Sequence, residues 1–192
     1  MRYTFVIDKN GGLKNMSKTR ENTKNLVLAA LFTAVTAILS QTAIPIPGGV
    51  PLTLQTFAVA LCGYVLGVKW GLASISAYVL LGAVGVPVFS GFKGGIGTLF
   101  GTTGGFIIGF ILFALICGLS HKFKNRILAV LIGIGGMLVC HLCGVIQFSI
   151  VYGSNFINSF LLVSLPYLLK DALSVIVAYF LSVYILKLIK KI

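Results

Sequence analysis

Six apolar runs follow one another after a polar start, at roughly 25–44, 53–67, 71–85, 101–119, 127–152 and 160–186. Buried in a water-soluble core, that much apolar chain would need a polar shell to cover it. With 58 % hydrophobic and 9 % charged residues, this chain has too little polar surface to supply one. The runs therefore belong in a bilayer, where backbone groups can be satisfied only within helices or closed barrels. Their length and spacing predict an all-α integral membrane protein of six transmembrane helices. A crossing helix needs about 20 residues, so the second and third runs are short and must be tilted, extended into their flanks or shielded by neighbours.

The basic residues orient the chain. If the N-terminus is cytoplasmic, the inner segments hold 13 of the 15 Lys and Arg residues: six in the tail, then Lys69, then Lys122, Lys124 and Arg126, then Lys187, Lys190 and Lys191. Lys93 is alone outside and Lys170 lies within the sixth run. This asymmetry predicts both termini in the cytoplasm. The net charge of +12 then reads as a topology signal, not as a nucleic-acid surface, because no basic stripe is interleaved with aromatics. Residues 1–24 form a basic cytoplasmic tail and 25–192 a single membrane domain. Met16 opens an alternative start, MSKTRENTK, which would make the first 15 residues an extension. A cleaved signal peptide over 24–43 is the rival reading of the first run, and the five further runs favour a first span.

Several function classes fall away. The four cysteines, Cys62, Cys117, Cys140 and Cys143, all sit in apolar runs and imply no disulfide framework. The stretch CHLC at 140–143 resembles half a metal site, but nothing completes four ligands, and His141 reads as core. No HExxH, GxSxG or aspartate pair is present, so an enzyme is not expected. A channel would need repeated polar positions along a span, which are missing.

One acid stands out. Asp8 and Glu21 lie in the tail, so Asp171, in PYLLKDALSV, is the single carboxylate from Asn25 onward. Pro166 suits the first turn of a helix, which places Asp171 in the second turn, in the outer half of the membrane. An intramembrane acid costs about 2.5–3.5 kcal/mol facing lipid and is functional by default. Tyr167 and Ser174, at i−4 and i+3, share its helical face. Adjacent helical residues point about 100° apart, so Lys170 is poorly arranged to close on Asp171 and is expected to snorkel toward the outer headgroups. Gln55, Tyr78 and Lys93 are weaker polar candidates, each with a packing or solvated reading beside it.

Two outer loops lie over this region. IPIPGGVPLTLQT joins spans one and two, where Pro45, Pro47 and Pro51 fix φ and Gly48 and Gly49 permit a sharp reversal. The segment from Gly85 to Phe106 carries eight glycines and can pack over a ligand and move. On the first span, Ala30 and Ala34 make a small-xxx-small pair beside a second row of Ala29, Thr33 and Ala37; either an internal neighbour or a separate subunit could use such a face. A solute-binding membrane protein with a capped outer pocket accounts for these features. No ATP-binding motif is present, so uptake would need other subunits.

The segments ALFTAVTAILSQTAIPIPGGVPLTLQTFAVALCGYVLG (30–67), AYVLLGAVGVPVFSGFKGGIGTLFGTTGGFIIGF (77–110) and LPYLLKDAL (165–173) resemble the BioY family, the biotin-specific S components of energy-coupling factor (ECF) transporters. The similarity runs from about Ala29 to Leu186. It implies an S-component-like bundle in the plasma membrane of a bacterium, binding biotin as a transported ligand, with no cofactor. It also implies three further subunits: a transmembrane coupling subunit that contacts an AxxxA face, matching Ala30 and Ala34, and two ATPases. Asp171 would accept the ureido N–H groups and Lys93 meet the carboxylate, with Gln55 and Tyr78 as secondary contacts. Phe92, beside Lys93, is a further candidate for contact with the ligand. Family members carry a lysine three residues after an aspartate, whereas here Ser174 holds that place and Lys170 precedes Asp171, so Lys93 or Lys170 must serve as the basic partner. The alternatives are an S component for another small vitamin and a solitary biotin transporter working without the ATPase module.

Overall fold

The structure, a computed structural model, describes residues 13–44, 50–123 and 125–189, with side chains from Arg20 onward. The expectation of an all-helical membrane protein is met: α1 (Leu13–Ser40), a two-stranded hairpin of β1 (Ala43–Ile44) and β2 (Leu52–Thr53), α2 (Gln55–Ala83), α3 (Ile96–Phe100), α4 (Gly104–Leu119), α5 (Arg126–Tyr152), α6 (Phe156–Val163) and α7 (Leu165–Ile189). Five helices are long and apolar enough to cross a membrane among the described residues: 20–40, 55–83, 104–122, 126–152 and 165–189. The helical path of α1 begins at Leu13, within the basic segment.

The second and third runs are joined in α2, which is not straight. Gly67 has φ 71° and ψ −173°, a backbone state with positive φ that glycine adopts without a steric penalty. The chain reverses there. A Cβ built on Gly71 would lie 3.2 Å from the Cα of Gly63, although eight residues of straight helix would separate them by about 12 Å. The two arms, 55–66 and 68–83, therefore lie side by side and antiparallel. At about 18 and 24 Å neither matches a bilayer of about 30 Å. Burial eases the shortfall: 17 residues of α2 are buried, and it packs against α1, α4 and α7, so much of both arms meets protein.

Polar groups mark how α1 joins this centre. Thr33 Oγ1 donates to the carbonyl of Ser74 at 3.0 Å and Ser74 Oγ to the carbonyl of Ala29 at 2.9 Å. Lys24 Nζ donates to the carbonyl of Ile189 at 2.9 Å, which brings the early part of α1 and the end of α7 to the same end of the bundle. Asn125 and Asn155 accept backbone N–H bonds as N-caps of α5 and α6, the expected use of a short amide. The sixth run, read as one span, breaks at Ser164 into α6 and α7.

At the end of the bundle opposite Gly67, β1 and β2 pair antiparallel, Ala43 with Thr53 and Ile44 with Leu52. The loop they close, with Pro45, Pro47, Gly48 and Gly49, lies outside the described residues. The glycine-rich segment is folded: Phe89 and Lys93 form a bridge, and α3 follows. Gln41, at the end of α1, donates to the carbonyls of Val88 and Phe89 at 3.2 Å and accepts from the Phe92 N–H at 2.9 Å. The loop is thus tied to a helix end.

Candidate functional site

Beneath these loops lies a cavity with about 760 Å³ of empty space, its open mouth included. Its roof comes from Val50, Pro51 and Thr53 on the hairpin and from Phe89, Ser90 and Lys93 on the glycine-rich loop. Its walls come from Phe106, Ile107 and Phe110 on α4, Met137, Cys140 and His141 on α5, and Tyr167, Lys170 and Asp171 on α7. The exposed wall is mostly apolar, and at one point charged and polar side chains converge.

Asp171 is that convergence. It lies in the second turn of α7 and is 4 % exposed. His141 Nε2 lies 3.1 Å from Asp171 Oδ2, and Lys170 Nζ makes an ion pair with Asp171 Oδ1. Lys170 also donates to the carbonyl of Thr53 at 2.8 Å. Both expectations for Lys170 are therefore corrected: it closes on its neighbour and does not reach for the headgroups. The 100° between adjacent Cα–Cβ directions is spanned by the flexible four-carbon stem, and the Thr53 carbonyl draws the ammonium inward.

Other residues on α7 are fixed by the hairpin or turned away. Tyr167 OH donates to the carbonyl of Val50, so α7 holds the hairpin at two points. Ser174, expected on the face of Asp171, does not line the cavity; it borders a separate groove with Leu54, Phe57, Pro166, Leu169, Leu173 and Val177. The three helical steps from Asp171 to Ser174 rotate its side chain by about 300°, which is about 60° away from Asp171 and toward the other groove. Gln55 lines the cavity, and its Nε2 donates to Tyr78 OH at 2.7 Å. Tyr78 stands behind it, fully buried, with its OH on the carbonyl of Val88 at 3.2 Å. Phe92 is 72 % exposed and stands outside the lining, on the tip of the Phe89–Lys93 turn.

His141 and Ser90 are among the lining residues that escaped sequence reasoning. His141 read as core because a lone histidine between apolar residues carries no local signal of its partner. Ser90 Oγ is buried and has no protein hydrogen-bond partner among the described residues. Its place between Phe89 and Gly91 gave no hint that its hydroxyl would face a cavity.

Chemically the site can hold a solute; among the described residues no group of three or more His, Cys, Asp and Glu side chains is placed to hold a metal ion. A carboxylate offers about four acceptor positions and an ammonium three donors, so after their mutual pairing Asp171 and Lys170 still present acceptors and a donor to a guest. On α1 the two small-residue rows part company: Ala29 and Thr33 are buried against Ser74, whereas Ala30 and Ala34 are exposed.

Comparison with known proteins points one way. The BioY family model matches residues 13–191. A probable biotin transporter BioY of Pyrococcus horikoshii is 45 % identical over 148 residues, 77 % of this chain and 87 % of that protein. The biotin transporter BioY of Thermotoga maritima is 37 % identical over 166 residues, 86 % of this chain and 97 % of that one. Among solved structures, the S-component for biotin from an ECF-type ABC transporter superposes with a TM-score of 0.79 at 26 % identity, covering 88 % of this chain and 93 % of that one.

Proposed function

Because the chain belongs to the BioY family, we propose that it is a biotin transporter subunit, the S component that captures biotin at the outer face of the membrane. The observation that carries this reading is the cavity itself: a largely apolar chamber lined by one carboxylate, Asp171, paired with Lys170, by a second ammonium, Lys93, and by the unpartnered hydroxyl of Ser90. The fused rings of biotin suit aliphatic and aromatic walls, its ureido group needs both donors and acceptors, and its valerate carboxylate needs a donor or a cation.

In this reading Asp171 accepts the ureido N–H groups, Lys170 and Ser90 donate to the polar end of the ligand, and Lys93, on the exposed rim, meets the valerate carboxylate. Gln55 and Tyr167 border the ligand, and Tyr78 holds Gln55 in place. The hairpin and the glycine-rich loop act as the cover.

The reading extends to the assembly. The chain crosses the plasma membrane of a bacterium six times, with the two arms of α2 counted separately and both termini inside, which agrees with the charge asymmetry and with the meeting of Lys24 and Ile189. Uptake runs with a coupling subunit seated on Ala30 and Ala34 and with two ATPases. The exposure of that row is what favours a partner over the solitary reading.

Calorimetric titration of the detergent-purified protein with biotin tests the proposal. Saturable biotin binding that excess thiamin and riboflavin do not displace supports it; a heat of binding from either competitor with none from biotin would reassign the ligand.

A further inference from the structure

His141 is buried, 6 % exposed, yet both its ring nitrogens are engaged. Nε2 lies 3.1 Å from Asp171 Oδ2 and Nδ1 2.9 Å from Ser164 Oγ. An ionised carboxylate only accepts, so Nε2 carries the proton and donates. Ser164 is fully buried in the one-residue break between α6 and α7. Its carbonyl accepts from the N–H groups of Tyr167 and Leu168 at 2.9 and 3.2 Å, which fixes it to the first turn of α7. On the other side the Phe106 ring stands edge-on to the imidazole, with centroids 5.7 Å apart and planes at 89°. That ring lies against Gly144, where a Cβ would come within 2.4 Å of it. The imidazole is thus held by three different elements.

From these contacts we infer that His141 is a positioning residue for the ligand-binding carboxylate, set in turn by Ser164. The inference rests on Asp171 being the acceptor for the ligand's N–H groups. A carboxylate turns about χ2 over a broad, shallow profile. Beside a lysine on the same helix it would swing to give that ammonium both oxygens, withdrawing its acceptors from the cavity. The His141 donor prevents this by claiming Oδ2 from the α5 side, leaving Oδ1 to Lys170. The remaining lone pairs then face the cavity in one orientation, which favours a guest that offers N–H donors over one that offers only acceptors. The break at Ser164 supplies the hydroxyl that sets the ring.

Biotin titrations by calorimetry on the wild type, His141→Phe, His141→Gln, Ser164→Ala, Asp171→Asn and the double variant His141→Phe with Asp171→Asn test this. His141→Phe is expected to weaken binding about tenfold or more, as for a lost hydrogen bond to a charged group. His141→Gln, whose amide N–H can replace Nε2, recovers most of that loss, and Ser164→Ala weakens binding a few-fold. In the Asp171→Asn background His141→Phe adds less than about twofold, the signature of residues acting through one another. Wild-type affinity in His141→Phe, with Asp171→Asn weakened, overturns the positioning role and leaves the binding reading standing. Full additivity in the double variant overturns it as well. An Asp171→Asn protein that binds normally removes the binding reading and this inference together. If His141→Phe does not fold, Ser164→Ala and the 15N spectrum of the histidines in the wild type decide: a proton on Nε2 of His141 supports the inference, and its absence overturns it.

Discussion

Gln55 and Tyr78 stand 23 positions apart in the sequence and share a hydrogen bond, Gln55 Nε2 to Tyr78 OH at 2.7 Å. In a straight helix they would be about 35 Å apart. The bond exists because α2 folds back on itself at Gly67, and it places the cavity-lining amide of Gln55 on a fully buried phenol.

Gly67→Ala should therefore destabilise the protein by about 1–2 kcal/mol. The nearest atom to an added Cβ, on the His121 ring, is 3.7 Å away, so the cost is the positive φ alone. Gly67→Asn should lose at least as much, because at ψ −173° the backbone lies outside the left-handed helical well that asparagine tolerates, in a region that is essentially glycine's alone. Thermal midpoints in detergent measure the order, and equal midpoints for Gly67→Ala and wild type would contradict it.

The ion pair of Lys170 and Asp171 should be more costly to halve than to remove. Lys170→Met leaves the buried carboxylate with His141 alone. The expected loss is about 1–3 kcal/mol, below that of a fully enclosed pair, because a quarter of the Lys170 side-chain surface is exposed. The double variant Lys170→Met with Asp171→Leu should regain part of this stability while binding no biotin. Unfolding and titration on the same samples separate the two effects.

Asp171→Asn should weaken biotin binding by more than about tenfold, or 1.4 kcal/mol, since the amide replaces one acceptor oxygen by a donor. Ser90→Ala should weaken it by a smaller factor of about two to ten, as for one neutral hydrogen bond, with little change in the unliganded thermal midpoint. An unliganded Ser90→Ala that is markedly less stable would mean the hydroxyl serves the fold.

The two rows on α1 should respond oppositely to bulk. Ala34→Leu, on the exposed row, should leave biotin binding within about twofold and abolish co-purification with the coupling subunit. Ala29→Leu, 5 % exposed beside Ser74, should destabilise the chain by about 1–3 kcal/mol through overpacking. Pull-down and thermal midpoint together read the difference.

Cysteines introduced into a cysteine-free variant at Lys69 and Lys122 should react with a membrane-impermeant maleimide only after the membrane is opened, and one at Phe92 should react in whole cells. Labelling of Lys69→Cys from outside would overturn six crossings with both termini inside.

Much of this was legible in the residues. The apolar runs demanded helices in a bilayer, because nothing else satisfies a backbone there. The lone Asp171 announced a polar site because a carboxylate in hydrocarbon must have a reason, and the quoted segments carried the family. Pro166 placed the start of α7 correctly to within a residue. What a one-dimensional pattern reports is hydropathy and helical phase. It cannot report which of several flexible or distant groups meets a given atom. The turn of Lys170 toward Asp171 and Thr53, the pairing of His141 with a carboxylate 30 positions away, the departure of Ser174 from the cavity, and the parting of the Ala29 and Ala30 rows all depend on distances between helices and on side-chain rotamers. Those were settled only when the bundle closed and each buried polar group took the partner within its reach.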